Sequence, residues 1–200
     1  MHSKLAVLRS VVLPVALTAS LSGCISMNSY IDPALPTLRA EDLRANKTPQ
    51  PVQVLFEFRT KGAPNARATE FAKPIVLDTV RSTSLFSNVA EAPVASGRTL
   101  TLVIDNVPVT EDAASKGFAT GLTLGLAGNT VTDGYLCTAT YSAPGATPKK
   151  SEIKHALHTT IGNAEGPKGL TPMKMDEALP VVVKQLTLNA LQKVRKDAGL

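Results

Sequence analysis

The run from Gly117 to Tyr135, GFATGLTLGLAGNTVTDGY, is the most glycine-rich and least charged stretch outside the N-terminal leader, with Asp133 its only charge. Gly117, Gly121 and Gly125 recur every fourth residue. On a helix they would form one ridge without side chains, against which another helix or a lipid chain could lie closely. Length excludes a lone membrane span: the 15 residues from Gly117 to Val131 rise only about 22 Å as a helix, against a hydrocarbon core of about 30 Å. A hairpin inserted in a shared barrel would need strand formers where the glycines stand. Strand-like patterns flank the run, so it reads as an insertion in a folded domain. It either packs on its own sheet, with Phe118, Leu122, Leu124 and Leu126 filling the core, or offers Gly117, Gly121, Gly125, Phe118, Leu122 and Leu124 as a contact surface.

The leader itself has a positive start (His2, Lys4, Arg9) and an apolar stretch from Val11 to Leu21 broken by Pro14. That stretch is shorter than the roughly 20 residues a spanning helix needs. It closes on Leu21-Ser22-Gly23-Cys24, which resembles the lipobox of bacterial lipoproteins. The resemblance implies that residues 1–23 are a signal peptide and that Cys24 becomes the acylated first residue of the mature chain. At about 0.8 kcal/mol per buried methylene, two or three acyl chains make a near-permanent anchor in membrane lipid. Ile25 stands where an inner-membrane retention signal would have Asp, so the enteric sorting pattern implies the periplasmic face of the outer membrane.

Loss of Lys4 and Arg9 with the leader leaves 19 basic against 16 acidic side chains. This near-neutral balance attracts no particular partner, and nothing in it supports nucleic-acid binding. With Cys24 acylated, Cys137 is the remaining thiol. Between Tyr135 and Ala139 on a strand pattern, it is expected in the core.

Four prolines between Ile25 and Pro51, with the polar cluster Arg39 to Arg44, predict a lipidated tether over 24–51 with little fixed structure and a reach of roughly 30 Å. Residues 52–200 are read as one domain. Val52 to Arg59 alternates as a half-buried strand, placing Val52, Val54, Phe56 and Phe58 on one face. A helix is expected over Phe71 to Ser82 with Phe71, Ile75 and Val80 inward and Pro74 near its first turn, then a short strand from Leu85 to Val89. Thr99 to Val107 alternates again. Tyr135 to Ser142 and Glu152 to Ile161 form a hairpin, and a final amphipathic helix runs from Met175 to Lys196, turning Leu179, Val182, Val183, Leu186, Ala190 and Val194 inward and Lys184, Gln185, Lys193 and Arg195 away. Pro180 places its start close to Asp176 or Glu177. The expected class is α+β: a mainly antiparallel sheet of about five strands with two helices, a β-α-β-β start, the glycine-rich insertion, a β-hairpin and the C-terminal helix.

Residues that could carry chemistry are few. His155 and His158 in Lys154-His155-Ala156-Leu157-His158 would share one side of a helix, but residues three apart on a strand point to opposite faces. His155 is therefore expected inward with Ile153, Leu157 and Ile161, and no metal site is expected. There is no Gly-x-Ser-x-Gly elbow, no phosphate-cradling loop and no paired carboxylates, and no cofactor is expected.

Several runs together resemble a group of small, uncharacterised proteobacterial lipoproteins: Lys116-Gly117-Phe118, Gly121 to Leu126, Thr130 to Tyr135, Lys154 to Thr159, Ile161-Gly162-Asn163 and the Asp32-Pro33 start of the tether. The β-α-β-β order is also similar to small periplasmic auxiliary lipoproteins that dock onto transport or assembly machines. The expectation is a lipid-anchored, non-enzymatic binding or assembly module that meets an envelope protein through its glycine-rich stretch, its small-molecule ligand unknown. The alternative is a hydrolase or metal-dependent enzyme using His155, His158 or Cys137.

Overall fold

The computed structural model describes residues 26–43, 48–109 and 130–200. The leader, Cys24 and the glycine ridge at Gly117, Gly121 and Gly125, with Phe118, Leu122 and Leu124, lie outside the described residues.

The first strand of the expected domain forms as its alternation requires. It is β2 (Val52–Thr60), with Val52, Val54 and Phe58 buried. A two-residue strand, β3 (Ala63–Pro64), turns back on it. Helix α1 (Ala66–Ser82) starts earlier than expected because Asn65 caps it, its side chain accepting from the Ala68 amide at 3.0 Å. Pro74 consequently lies in mid-helix. It is exposed, so the Glu70 carbonyl that loses its amide partner opens towards water. The buried face runs through Ala72, Val76, Leu77 and Val80, while Phe71, expected inward, is 46% exposed.

Of the next expected strand, Leu85 to Val89, only Val89 pairs, as the start of β4 (Val89–Ala90), although Leu85 and Phe86 before it are buried. β5 (Thr99–Pro108) buries Leu100, Leu102 and Ile104. β6 (Thr130–Ser142) and β7 (Lys149–Ile161) are each 13 residues long, so the end of the glycine-rich run, from Thr130 to Tyr135, is strand.

The described residues form one sheet of seven strands in the order β1-β7-β6-β5-β2-β3, with β4 also on β2. It is mixed rather than mainly antiparallel. β2 runs parallel to β5, because α1 is a crossover that returns the chain to the same end of the sheet before β5 begins. β4 is likewise parallel to β2. Helix α2 (Met175–Ala198) lies beside α1 on the same face, turning Val182, Val183, Leu186, Ala190 and Val194 into the core. It begins one turn before Pro180 and ends at Gly199, whose φ of 67° is the left-handed cap a glycine supplies at no steric cost. No helix among the described residues is long and apolar enough to cross a membrane.

The expected tether is corrected most. Met27–Ile31 is a sheet strand, β1, paired antiparallel with β7 from Met27↔Ile161 to Ile31↔Leu157. The chain then crosses α2. Gln185 and the Leu38 main chain exchange two hydrogen bonds (2.8 and 3.1 Å), Asn189 donates to the Pro36 carbonyl (2.9 Å), and Arg195 donates to the Leu43 carbonyl (3.0 Å). The prolines that suggested a loose chain occupy positions where no ladder amide is required, and the polar face of α2 supplies the missing partners. Leu43, closing a single 3-10 turn (Ala40–Leu43), is wholly buried. Leu43→Ala is therefore expected to lower unfolding stability by about 2–5 kcal/mol, read from the urea midpoint at constant m. A tether residue would leave it unchanged.

Candidate functional site

The histidines separate by strand geometry. Tyr135 lies opposite His155 and belongs to the core under the helices, while Thr132 lies opposite His158 and bonds to it. His155 therefore faces the helices, and His158 faces the other side of the sheet. The two imidazoles do not converge on one ligand, and no group of three metal-type side chains forms among the described residues.

On that second face, three distant parts of the chain meet at His158. Its Nε2 lies 3.0 Å from Asp32 Oδ2 and its Nδ1 lies 2.9 Å from Thr132 Oγ1. The side chains of His158 and Asp32 are 2% and 1% exposed. Asp32 uses its other oxygen to accept the Ala34 amide at 2.8 Å, a local turn that fixes the chain as it leaves β1. Tyr30, opposite His158 on β1, covers the network. The loop after β7 packs on Tyr30: a Cβ at Gly166 would overlap the outer end of that ring, so a larger residue there would have to displace the ring or the loop. The carboxylate orients the ring from one side and the hydroxyl from the other, which resembles the relay of a hydrolase. Here it is closed beneath Tyr30 and the loop, and it joins the N-terminal strand to the two central hairpin strands. Removing one partner strands a buried polar group, so Asp32→Ala is expected to cost about 3–5 kcal/mol, measured by chemical denaturation at pH 7.

Of the residues named for enzymatic chemistry, His158 is the centre of this network, while Cys137 and His155 point to the helix face of the sheet. Cys137 is wholly buried, as expected, and burial pushes its thiol up to about 12, where the nucleophilic thiolate is absent at neutral pH. Burial also raises the Tyr135 phenol, with the Asp133 carboxylate adding to the rise and an Asn106 hydrogen bond opposing it. His155 is pushed down to about 4, chiefly by burial; Asp32 pulls upward and His158 downward. Its Nδ1 has no hydrogen-bond partner, which also suits a neutral ring. Between the unfolded value near 6.5 and about 4, the unfolded chain binds a proton that the folded one does not, so stability falls as pH falls through that window. The full loss is on the order of 3 kcal/mol. His155→Leu should flatten this acid-side slope, measured as urea midpoints from pH 7 to pH 4.

Asp32 and Thr132 were missed as members of a site, although each lies in a run that carries the lipoprotein resemblance, as does His158. The signal was present as separate motifs. Their meeting depends on a β1–β7 pairing that local pattern does not show.

The two ends of the sheet differ in what they carry. β1 starts, β7 ends and β6 starts at one end, where Asn28 and Thr130 both lie opposite Thr160. β5 also finishes there, Pro108 opposite Asp133. Both roots of the glycine-rich connection thus stand at the end of the sheet that receives the chain from Cys24.

No family model matches the chain, and no curated protein sequence does. Among solved structures, a single-substitution variant of the PelC dodecamer from Paraburkholderia phytofirmans aligns at 15% identity over 86% of this chain and 98% of that one, with a TM-score of 0.34. Rare lipoprotein B from Shewanella oneidensis aligns at 10% identity over 75% and 94%, with a TM-score of 0.38. Scores this low describe a likeness of outline, and one of the two proteins is named as a lipoprotein.

Proposed function

We propose that the chain is a lipid-anchored envelope lipoprotein whose domain is held directly on the periplasmic face of the outer membrane. There it serves as a non-enzymatic binding or assembly module. The observation that carries this reading is the position of β1. Met27 is three residues beyond the lipobox cysteine, and at about 3.3–3.6 Å per residue the acylated Cys24 lies within about 10 Å of the sheet. The glycine-rich connection leaves β5 and enters β6 at that same end, so its contact surface works at or beside the lipid. Membrane lipid is engaged through Cys24, and an envelope protein is the partner of the ridge at Gly117, Gly121 and Gly125.

A photo-crosslinking residue at Phe118 or Leu124, introduced into the native lipoprotein in intact envelopes, tests this. The expected result is one protein adduct, lost in Gly121→Leu while the circular dichroism and melting of the domain stay unchanged. An undiminished adduct in Gly121→Leu, or adducts with lipid alone, overturns the assembly reading.

A further inference from the structure

The end of the sheet away from the anchor holds a cavity of about 250 Å³. Its floor is aromatic: Phe86 and Tyr141 are both buried, with ring centroids 6.0 Å apart and planes tilted by 35°. Register places two cations around the end of β6. Lys149 lies opposite Tyr141 on the β7 side, and Arg98 immediately precedes Thr99, which lies opposite Ser142 on the β5 side. The two backbones are two strand spacings, or roughly 10 Å, apart. Thr147, in the β6–β7 turn, and Leu200, past the cap of α2, complete the rim.

The charges here are arranged unlike those elsewhere. Arg59, Lys73, Arg81 and Lys150 each pair with an acidic side chain of Glu57, Glu91, Asp78 and Glu152, respectively. Arg98 and Lys149 make no ion pair with any described residue, the Leu200 carboxylate included, and no Asp or Glu lines the cavity. Two half-buried cations beside one hollow repel each other, and an anion placed there relieves the repulsion while satisfying the guanidinium and ammonium donors. The volume lies just below the range of drug-sized sites, about 300–1,000 Å³, and holds on the order of ten non-hydrogen atoms. We infer that this cavity binds a small aromatic or similarly apolar carboxylate, its body on the Phe86–Tyr141 floor and its charge held by Arg98 and Lys149. Anchored at the opposite end of strands 13 residues long, the domain presents this mouth about 40 Å from its membrane end.

Benzoate titrated into the isotope-labelled full chain in detergent, followed by amide NMR, tests the inference. Saturable shifts are expected at Arg98, Thr147 and Lys149, with affinity at least tenfold weaker in Arg98→Gln and in Lys149→Gln. Both positions are partly exposed, and the remaining amide spectrum reports whether each variant is folded. Benzyl alcohol binding as well as benzoate would overturn the charge requirement, and inorganic phosphate binding as well as benzoate would overturn the apolar body. Either result on the native chain, or undiminished benzoate binding by both variants, removes the proposal.

Discussion

The ladder between β1 and β7 is the constraint on which the rest of the molecule depends. Without it, β7 would be an edge strand with one row of amides and carbonyls open, Asp32 would not reach His158, and the chain between residues 33 and 43 would have no reason to cross α2. With it, the first described residues and the last long strand are neighbours. The segment after β1 then shares four hydrogen bonds with Gln185, Asn189 and Arg195, accepting three and donating one from the Leu38 amide. Side chains that a helical wheel assigns to solvent therefore hold down the N-terminal strap.

Much of the architecture was legible in local pattern. The alternation of Val52, Val54, Phe56 and Phe58, that of Leu100, Leu102 and Ile104, and the helical spacing from Val182 to Val194 each identify an element and its buried face, because burial on one side imposes a period. What pattern does not report is pairing. The parallel contact of β2 with β5 follows from a crossover through α1, and the place of β1 follows from partners more than a hundred residues away. The same limit applied to the site. His155 and His158 were correctly placed on opposite faces by strand parity alone, but the partners of His158 come from Asp32 and Thr132, joined only by the assembled sheet.

Helix phase and polarity also set limits on reading. Pro74 suggested a helix start that Asn65 in fact supplies several residues earlier, and the exposed side of α1 tolerates the proline because water satisfies what its ring displaces. Proline density between Pro33 and Pro51 suggested a flexible tether. The same prolines suit a strap whose contacts run through carbonyls and side chains rather than through a continuous amide ladder.

The short distance in sequence from the lipobox cysteine to β1 gives the proposed anchor a mechanical meaning. In the proposed lipid-anchored arrangement, any force between membrane and domain would enter the fold through the ladder of β1 with β7. A pull along the strand loads all of its hydrogen bonds together, whereas a sideways pull opens them one after another from Met27. The Asp32–His158 contact lies at the far end of β1 from the anchor, so it is the last to be loaded in that opening. An anchor at Cys24 would thus make membrane attachment and the cohesion of the sheet one joint, yielding to peeling more readily than to traction along the strands.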